Sequence, residues 1–205
     1  REHTAELMLR EERELEFYRR TIEAATGGKL EIVQRDQIVR AAGPEIRRWE
    51  IAAREDLPRI RGEIGEVAEL AGMDSERVYD LVLCAGEATT NAWKHAGGGT
   101  VSLHRQEDSL MLIVSDRGPG IDALSLPDVA LTRGYTTALS MGLGYKEMIT
   151  LADHLQLATG TDGTTVALEL SMRPRPELDP LEGLPDTWAV TDALEQVDTK
   201  RARDL

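Results

Sequence analysis

The sequence predicts an α/β (α+β) two-layer sandwich, with a mixed, mainly antiparallel sheet covered on one face by helices. Three observations carry this. The 205-residue chain orders its hydrophobic patterns as helix, helix, strand, strand, long connection, helix, strand, strand, an order that suits one sheet backed by one helical layer. The strand candidates come in close pairs joined by turn residues, which makes hairpins. The helix candidates each carry an apolar stripe.

Taken in order, residues from Arg1 to Thr26 are charged and helix-prone, with Met8, Leu15 and Ile22 recurring at seven and Tyr18 and Ala25 between them. Glu11 breaks the pattern, so an amphipathic helix packed on its own domain is preferred to the seam of a homodimer. Gly27-Gly28 ends this helix. Lys29 to Val33 reads as a strand and Gln34 to Ala42 as a short helix. Residues 1–45 are thus a helical N-terminal extension, for which dimerisation and signal input both stay open. Gly43-Pro44 marks the boundary to a domain over residues 46–172.

Glu45 to Ala52 reads as a strand with Ile46, Trp49 and Ile51 as its apolar residues. Leu57 to Ala71 reads as a helix burying Ile60, Ile64, Val67, Ala68 and Ala71, with Pro58 in its first turn. The next helix runs from about Asp74 to Ala96. Asp74 or Ser75 caps it, Val78, Leu81, Val82, Ala85 and Ala92 share one face, and Gly97-Gly98-Gly99 ends it. Thr100 to Arg105 and Ser109 to Ser115 are strands around a Gln106-Glu107-Asp108 turn. His104 reads as a surface residue, and no second His or Cys stands at zinc-ligand spacing.

Residues 117–143 form a long connection of the kind that often serves as a lid, with a helical turn over Asp122 to Ala130. A helix then runs to Asp153. His154 to Thr159 and Thr164 to Ser171 form the last hairpin around Gly160-Thr-Asp-Gly163. His154 reads as a strand start rather than a phospho-acceptor. From Arg173 the chain is a Pro-rich acidic tail, residues 173–205, broken by Pro174, Pro176, Pro180 and Pro185. Asp186 to Val197 can form a short helix whose Trp188, Val190 and Leu194 are docking side chains.

Twenty-four basic against 37 acidic residues leave a formal net charge of −13, which argues against non-specific nucleic-acid binding. The single Cys84 permits no internal disulfide and fits a reducing, cytoplasmic compartment. No apolar run reaches the ~18 residues of a membrane span, and no signal-peptide pattern is visible.

Three stretches carry chemistry. On the long helix Glu87, Asn91, Lys94 and His95 fall at i, i+4, i+7 and i+8 and share the face opposite the apolar stripe. A solvated polar side accounts for the same spacing. Asn is a poor mid-helix residue, however, and a carboxylate and an amide oxygen one turn apart can hold a hard cation and a water. Asp116-Arg-Gly118-Pro-Gly120 follows a buried-strand candidate, where an ionised Asp is an acceptor able to read an exocyclic amine. Gly142-Leu-Gly144 leads into a helix, where exposed N–H groups and the helix dipole favour an anion. A plain turn and a flexible loop explain the second and third stretches taken singly.

In this order Glu87-xxx-Asn91, Asp116-x-Gly118-x-Gly120 and Gly142-x-Gly144 resemble the nucleotide-binding boxes of the GHKL ATPase/kinase superfamily. Thr90-Asn91-Ala92-Trp93-Lys94-His95, the short lid from Gly134 to Gly144 and the ending Gly163-Thr164-Thr165-Val166 most resemble anti-sigma-factor serine kinases and stressosome switch kinases. The resemblance covers roughly residues 47–172 and implies the Bergerat ATP-binding fold with ATP and Mg²⁺. It implies Glu87 as general base, Asn91 as Mg²⁺ ligand, Lys94 near phosphate and Asp116 on the adenine amino group. Gly118, Gly120 and Ile121 would shape the adenine pocket, and Thr164 would support the adenine end. Thr136, Thr137, Gly142, Leu143 and Gly144 would form the lid around the phosphates. The implied activity is a serine/threonine protein kinase acting on a small STAS-like anti-sigma antagonist. The alternatives are a nucleotide-gated switch that sequesters a sigma factor or activates a phosphatase, and a histidine-kinase catalytic domain. His3, without supporting pattern, is a poor phospho-acceptor for the last.

Overall fold

The computed structural model describes residues 16–17, 19–121 and 141–175. The chain divides into two compact units, Arg1–Pro174 and Arg175–Leu205, and every described helix and strand belongs to the first. The expected turn at residues 122–130, the tail helix at 186–197, and Met8, Leu15, Tyr18 and His3 lie outside the described residues.

In chain order the elements are β1 (Leu30–Ile32), α1 (Arg35–Ala41), β2 (Glu45–Ile51), α2 (Asp56–Leu70), α3 (Ser75–Ala96), β3 (Gly99–Arg105), β4 (Ser109–Ser115), α4 (Met141–Leu151), β5 (His154–Gly160) and β6 (Gly163–Ser171). The strands form a six-stranded sheet in the order β1-β5-β6-β4-β3-β2. The β1–β5 pair is parallel, with Leu30 opposite Leu155, and the other four pairs are antiparallel. The sheet is therefore mixed and mainly antiparallel. Thr161 and Asp162 turn the β5–β6 hairpin between paired Gly160 and Gly163.

The central strand β4 explains the two faces. Its Leu110, Leu112 and Val114 join the main core with Ile60 and Ile64 of α2, Leu81 and Ala85 of α3, and Met148 of α4. Met111 and Ile113 point the other way, into a smaller cluster with Val33, Ile38 of α1 and Ala167. That is why residues 110–114 read as an unbroken apolar run rather than an alternating one. Three longer helices thus form the layer on one face, and the short α1 covers part of the other. Ile22, in the helical residues 19–25, is fully buried in the main core, so this stretch packs on its own domain.

The helix bounds follow from end chemistry. The Asp74 carboxylate accepts the Glu76 N–H at 2.9 Å and starts α3. Gly97 ends it in the left-handed conformation, its N–H bonded to the Trp93 carbonyl.

Two side chains differ from expectation. Ile46 is exposed, because the β2–β3 register shifts between Glu45 and Arg47. His104 is buried rather than on the surface. It lies on the face opposite Val101 and Leu103, and both ring nitrogens find partners, Gly43 O at 3.0 Å and Ser102 Oγ at 2.9 Å, which removes the penalty of burial. Among the described residues no helix is long and apolar enough to cross a membrane.

Candidate nucleotide site

The β4–β6 ladder runs to Ser115 opposite Thr165, and the next residue is Asp116. Its N–H donates to the Thr164 carbonyl at 2.8 Å. Its Oδ1 accepts the Gly118 N–H at 2.8 Å and the Thr164 N–H at 3.1 Å. Three backbone bonds therefore hold the residue at the sheet's end, and they commit one carboxylate oxygen, Oδ1, to the protein.

The glycines of this turn serve approach of the protein to itself. A Cβ on Gly118 would stand 2.9 Å from the Ala96 Cβ and 3.0 Å from the His95 carbonyl oxygen. Gly120 has φ +76°, and a Cβ there would strike the Gly160 carbonyl. The turn is thus clamped between the end of α3 and the β5–β6 hairpin. Thr159 Oγ1 accepts the Ile121 N–H at 2.7 Å and lies 3.3 Å from Thr164 Oγ1, which closes the far side.

Between α3 and this turn lies a cavity of about 160 Å³, of the size that admits one flat aromatic group. Asn91, Asp116, Gly118, Gly120, Ile121 and Thr164 all line it, so six expected residues from the first two motifs and the Gly163-Thr164 ending meet at one place. The rest of the lining is mostly apolar, with Ala88 and Ala92 of α3, Val114 and Val166 of the sheet, Pro119 and the ring of Tyr145, and it includes one further polar side chain, the exposed His95 of α3. Burial, then the Asp116 charge, push the Tyr145 phenol well above its usual range, so it stays a neutral hydroxyl.

Asn91 Nδ2 is buried with no hydrogen-bond partner among the described residues. An unpaired buried amide costs about 1–3 kcal/mol, and the amide can present either its N or its O. This orphaned polar group in the cavity lining fits a bound phosphate–metal group, which would pair it. Glu87 stands one turn earlier on α3, half-buried, and does not line the cavity. Its Oε2 lies against Gly144, where any Cβ would collide with it. This contact joins the first motif to the third.

Gly142 begins no loop: it and Leu143 stand in the first turn of α4, which starts at Met141. Lys94 is exposed and outside the cavity lining. Thr136 and Thr137 lie outside the described residues. Tyr145 and Ala88 line the site without having been singled out. The signals were the place of Tyr145 directly after Gly144 and the small pair Ala88 and Ala92 flanking Asn91, which leaves room for a ligand.

The fold and the place of these motifs agree with a histidine kinase-like ATPase domain. The model of that family matches residues 51–170, and the chain belongs to the family. Among particular proteins, it is similar to the serine-protein kinase RsbW of Bacillus pumilus, 32% identical over 123 residues that span 53% of this chain and 74% of that one. It is also similar to the serine-protein kinase RsbW of Listeria innocua, 38% identical over 68 residues, 30% of this chain but only 43% of the relative's length. In three dimensions it shares the fold of a chain in the SiaB–SiaC complex from Pseudomonas aeruginosa, at 13% identity and TM-score 0.50, over 66% of this chain and 94% of that one.

Proposed function

We propose that the protein is an ATP-dependent serine/threonine protein kinase that phosphorylates a small regulatory protein of the STAS type. The observation that carries this is the convergence of Asn91, Asp116, Gly118 and Thr164 on one cavity, with the Glu87 carboxylate one turn along α3 against Gly144. The serine-protein kinases to which the chain is similar support the reaction class.

In this reading Asp116 Oδ2 accepts the exocyclic amine of adenine, and the apolar wall with Tyr145 encloses the ring. The phosphates leave the cavity toward Gly142, Leu143 and Gly144, where the N-terminal turn of α4 offers backbone N–H groups and a favourable dipole. Lys94 is assigned to the same phosphate end; Thr136 and Thr137, which the resemblance also assigns there, lie outside the described residues. Asn91 would hold Mg²⁺, which supplies charge neutralisation on the phosphates when bound. Glu87 takes the proton from the partner's serine or threonine hydroxyl. That oxygen bonds to the γ-phosphorus as the bond to the β–γ bridging oxygen breaks, and ADP leaves.

The test is incubation with γ-labelled ATP and a panel of STAS proteins. Label on a serine or threonine of one of them is the expected result. A protein that binds Mg-ATP and a partner, yet leaves every partner unlabelled, is instead a nucleotide-gated switch of the kind that sequesters a sigma factor or activates a phosphatase.

A further inference from the structure

Arg77 lies in the first turn of α3, far along the helix from the cavity, and is fully buried. Its Nη1 donates to Asp80 Oδ2 at 2.7 Å and to the Leu151 carbonyl at 3.2 Å, and its Nη2 donates to Asp153 Oδ2 at 2.5 Å. Asp153 Oδ2 also accepts the Ser171 N–H at 2.7 Å. One guanidinium therefore joins the start of α3, the last residue of α4, the approach to β5 and the end of β6.

We propose that Arg77 is a positioning residue for the nucleotide: it sets the register of α4 against α3 and so holds Tyr145 at the cavity and Gly144 against the Glu87 carboxylate. The inference rests on the nucleotide reading of that cavity. From Arg77 to Glu87, α3 rises about 15 Å, and from Leu151 back to Gly144, α4 rises about 10 Å. The two helices run antiparallel and touch at both places, Arg77 on Leu151 at one and Glu87 on Gly144 at the other. Between them the contact is apolar, through residues such as Leu81, Ala85 and Met148, and an apolar seam by itself sets register weakly. A slip of one turn moves a helix about 5.4 Å. It would break the Arg77 bonds, lift Gly144 off the Glu87 carboxylate and draw Tyr145 away from Asp116.

Stability alone is a poor account of this cluster. A buried ionic group is often replaced by apolar residues at no loss. Arg77 Nε moreover is buried without a partner among the described residues, an added cost. The directional bonds of the guanidinium are what an apolar substitute cannot reproduce.

The experiment compares the wild type, Arg77→Lys and the triple variant Arg77→Met/Asp80→Leu/Asp153→Asn by ATP titration calorimetry and thermal melting of the full chain. The triple variant removes the guanidinium and both carboxylates that it bonds together, and we expect it to melt within about 5 °C of wild type. Its ATP affinity should fall about tenfold. Arg77→Lys keeps the charge but not the fork, and should fold and bind more weakly than wild type. Folded variants with wild-type ATP affinity overturn the proposal while leaving the nucleotide site in place. Failure of both variants to fold overturns it too, since the cluster is then a stability element. A wild type that does not bind ATP removes the nucleotide reading and this inference with it.

Discussion

Asp116 Oδ1 is held by the Gly118 and Thr164 N–H groups, and the proposed adenine contact falls to Oδ2. An asparagine cannot serve both, since one end of its amide donates. Turned to accept from the backbone, it presents NH₂ to a ligand amine. Asp116→Asn should therefore cost about 1–3 kcal/mol of ATP affinity, the worth of a charge-assisted bond, measured by calorimetry. Wild-type affinity that is equal for ATP and GTP would count against the adenine reading. Asn91, with its orphaned amide, should act on the metal alone. Asn91→Ala is expected to remove most of the Mg²⁺ enhancement of binding and spare much of the adenine affinity, and titrations with and without Mg²⁺ decide it. Glu87→Gln keeps size and hydrogen bonding but cannot take a proton. Near-normal Mg-ATP affinity with a rate loss on the order of 10²–10⁴ is expected. Single-turnover transfer at saturating ATP is the measurement, and a wild-type rate rules out the base assignment.

At the scale of elements, α2 is fastened to the sheet edge by polar side chains. Asp56 Oδ2 accepts the Ala52 and Ala53 N–H groups at 3.1 and 2.9 Å and so starts the helix. Glu63 Oε2 accepts the Trp49 indole N–H at 2.8 Å, and its Oε1 accepts from Arg59 at 3.0 Å. The Trp49 bond first, then Arg59, holds the Glu63 carboxyl below its usual range. The Arg59 bond, then the two backbone N–H groups, does the same for Asp56. A carboxylate whose acidity is strengthened by folding stabilises the fold above its unfolded pKa, and that contribution is lost as pH falls through the folded value. The fold should therefore weaken on acidification below the ordinary carboxylate range. Glu63→Gln retains an acceptor for Trp49 but does not titrate. Its melting temperature should fall less than that of the wild type between about pH 5 and pH 3, read by circular dichroism. Parallel curves would show that Glu63 carries none of the acid sensitivity.

For the whole molecule, a ligand that binds only the folded state adds stability by mass action. ATP with Mg²⁺ at about a hundredfold over its dissociation constant adds about 2.7 kcal/mol, or about 5–10 °C in melting temperature for a chain of this size. GTP at the same concentration should shift it much less, because Asp116 offers no donor to the guanine carbonyl. Scanning calorimetry checks both, and an absent ATP shift would contradict nucleotide binding. The net charge of −13 adds a mean repulsion toward ATP, so the affinity has to come from local groups.

What the sequence by itself determined is what lies within a few residues of its own cause. Period and end chemistry placed α3 at Asp74 to Ala96, against Ser75–Ala96 observed. They placed β4 at Ser109 to Ser115, as observed. Of the residues the resemblance named, six line one cavity, whereas Glu87, Lys94 and Gly144 stand outside its lining. The tertiary structure alone decided what depends on distant segments meeting. β1 lies parallel beside β5, though nothing in residues 30–32 names a partner strand. Arg77 reads as an ordinary charged first-turn residue, and only the arrival of Leu151 and Asp153 buries it. His104 alternates with apolar neighbours as a surface residue would, until a second covered face and the Gly43 carbonyl reach it. Gly144 looks like helix-start flexibility in one dimension and is the seat of the Glu87 carboxylate in three. Local propensity is written in neighbouring residues, whereas burial and pairing belong to the packed whole.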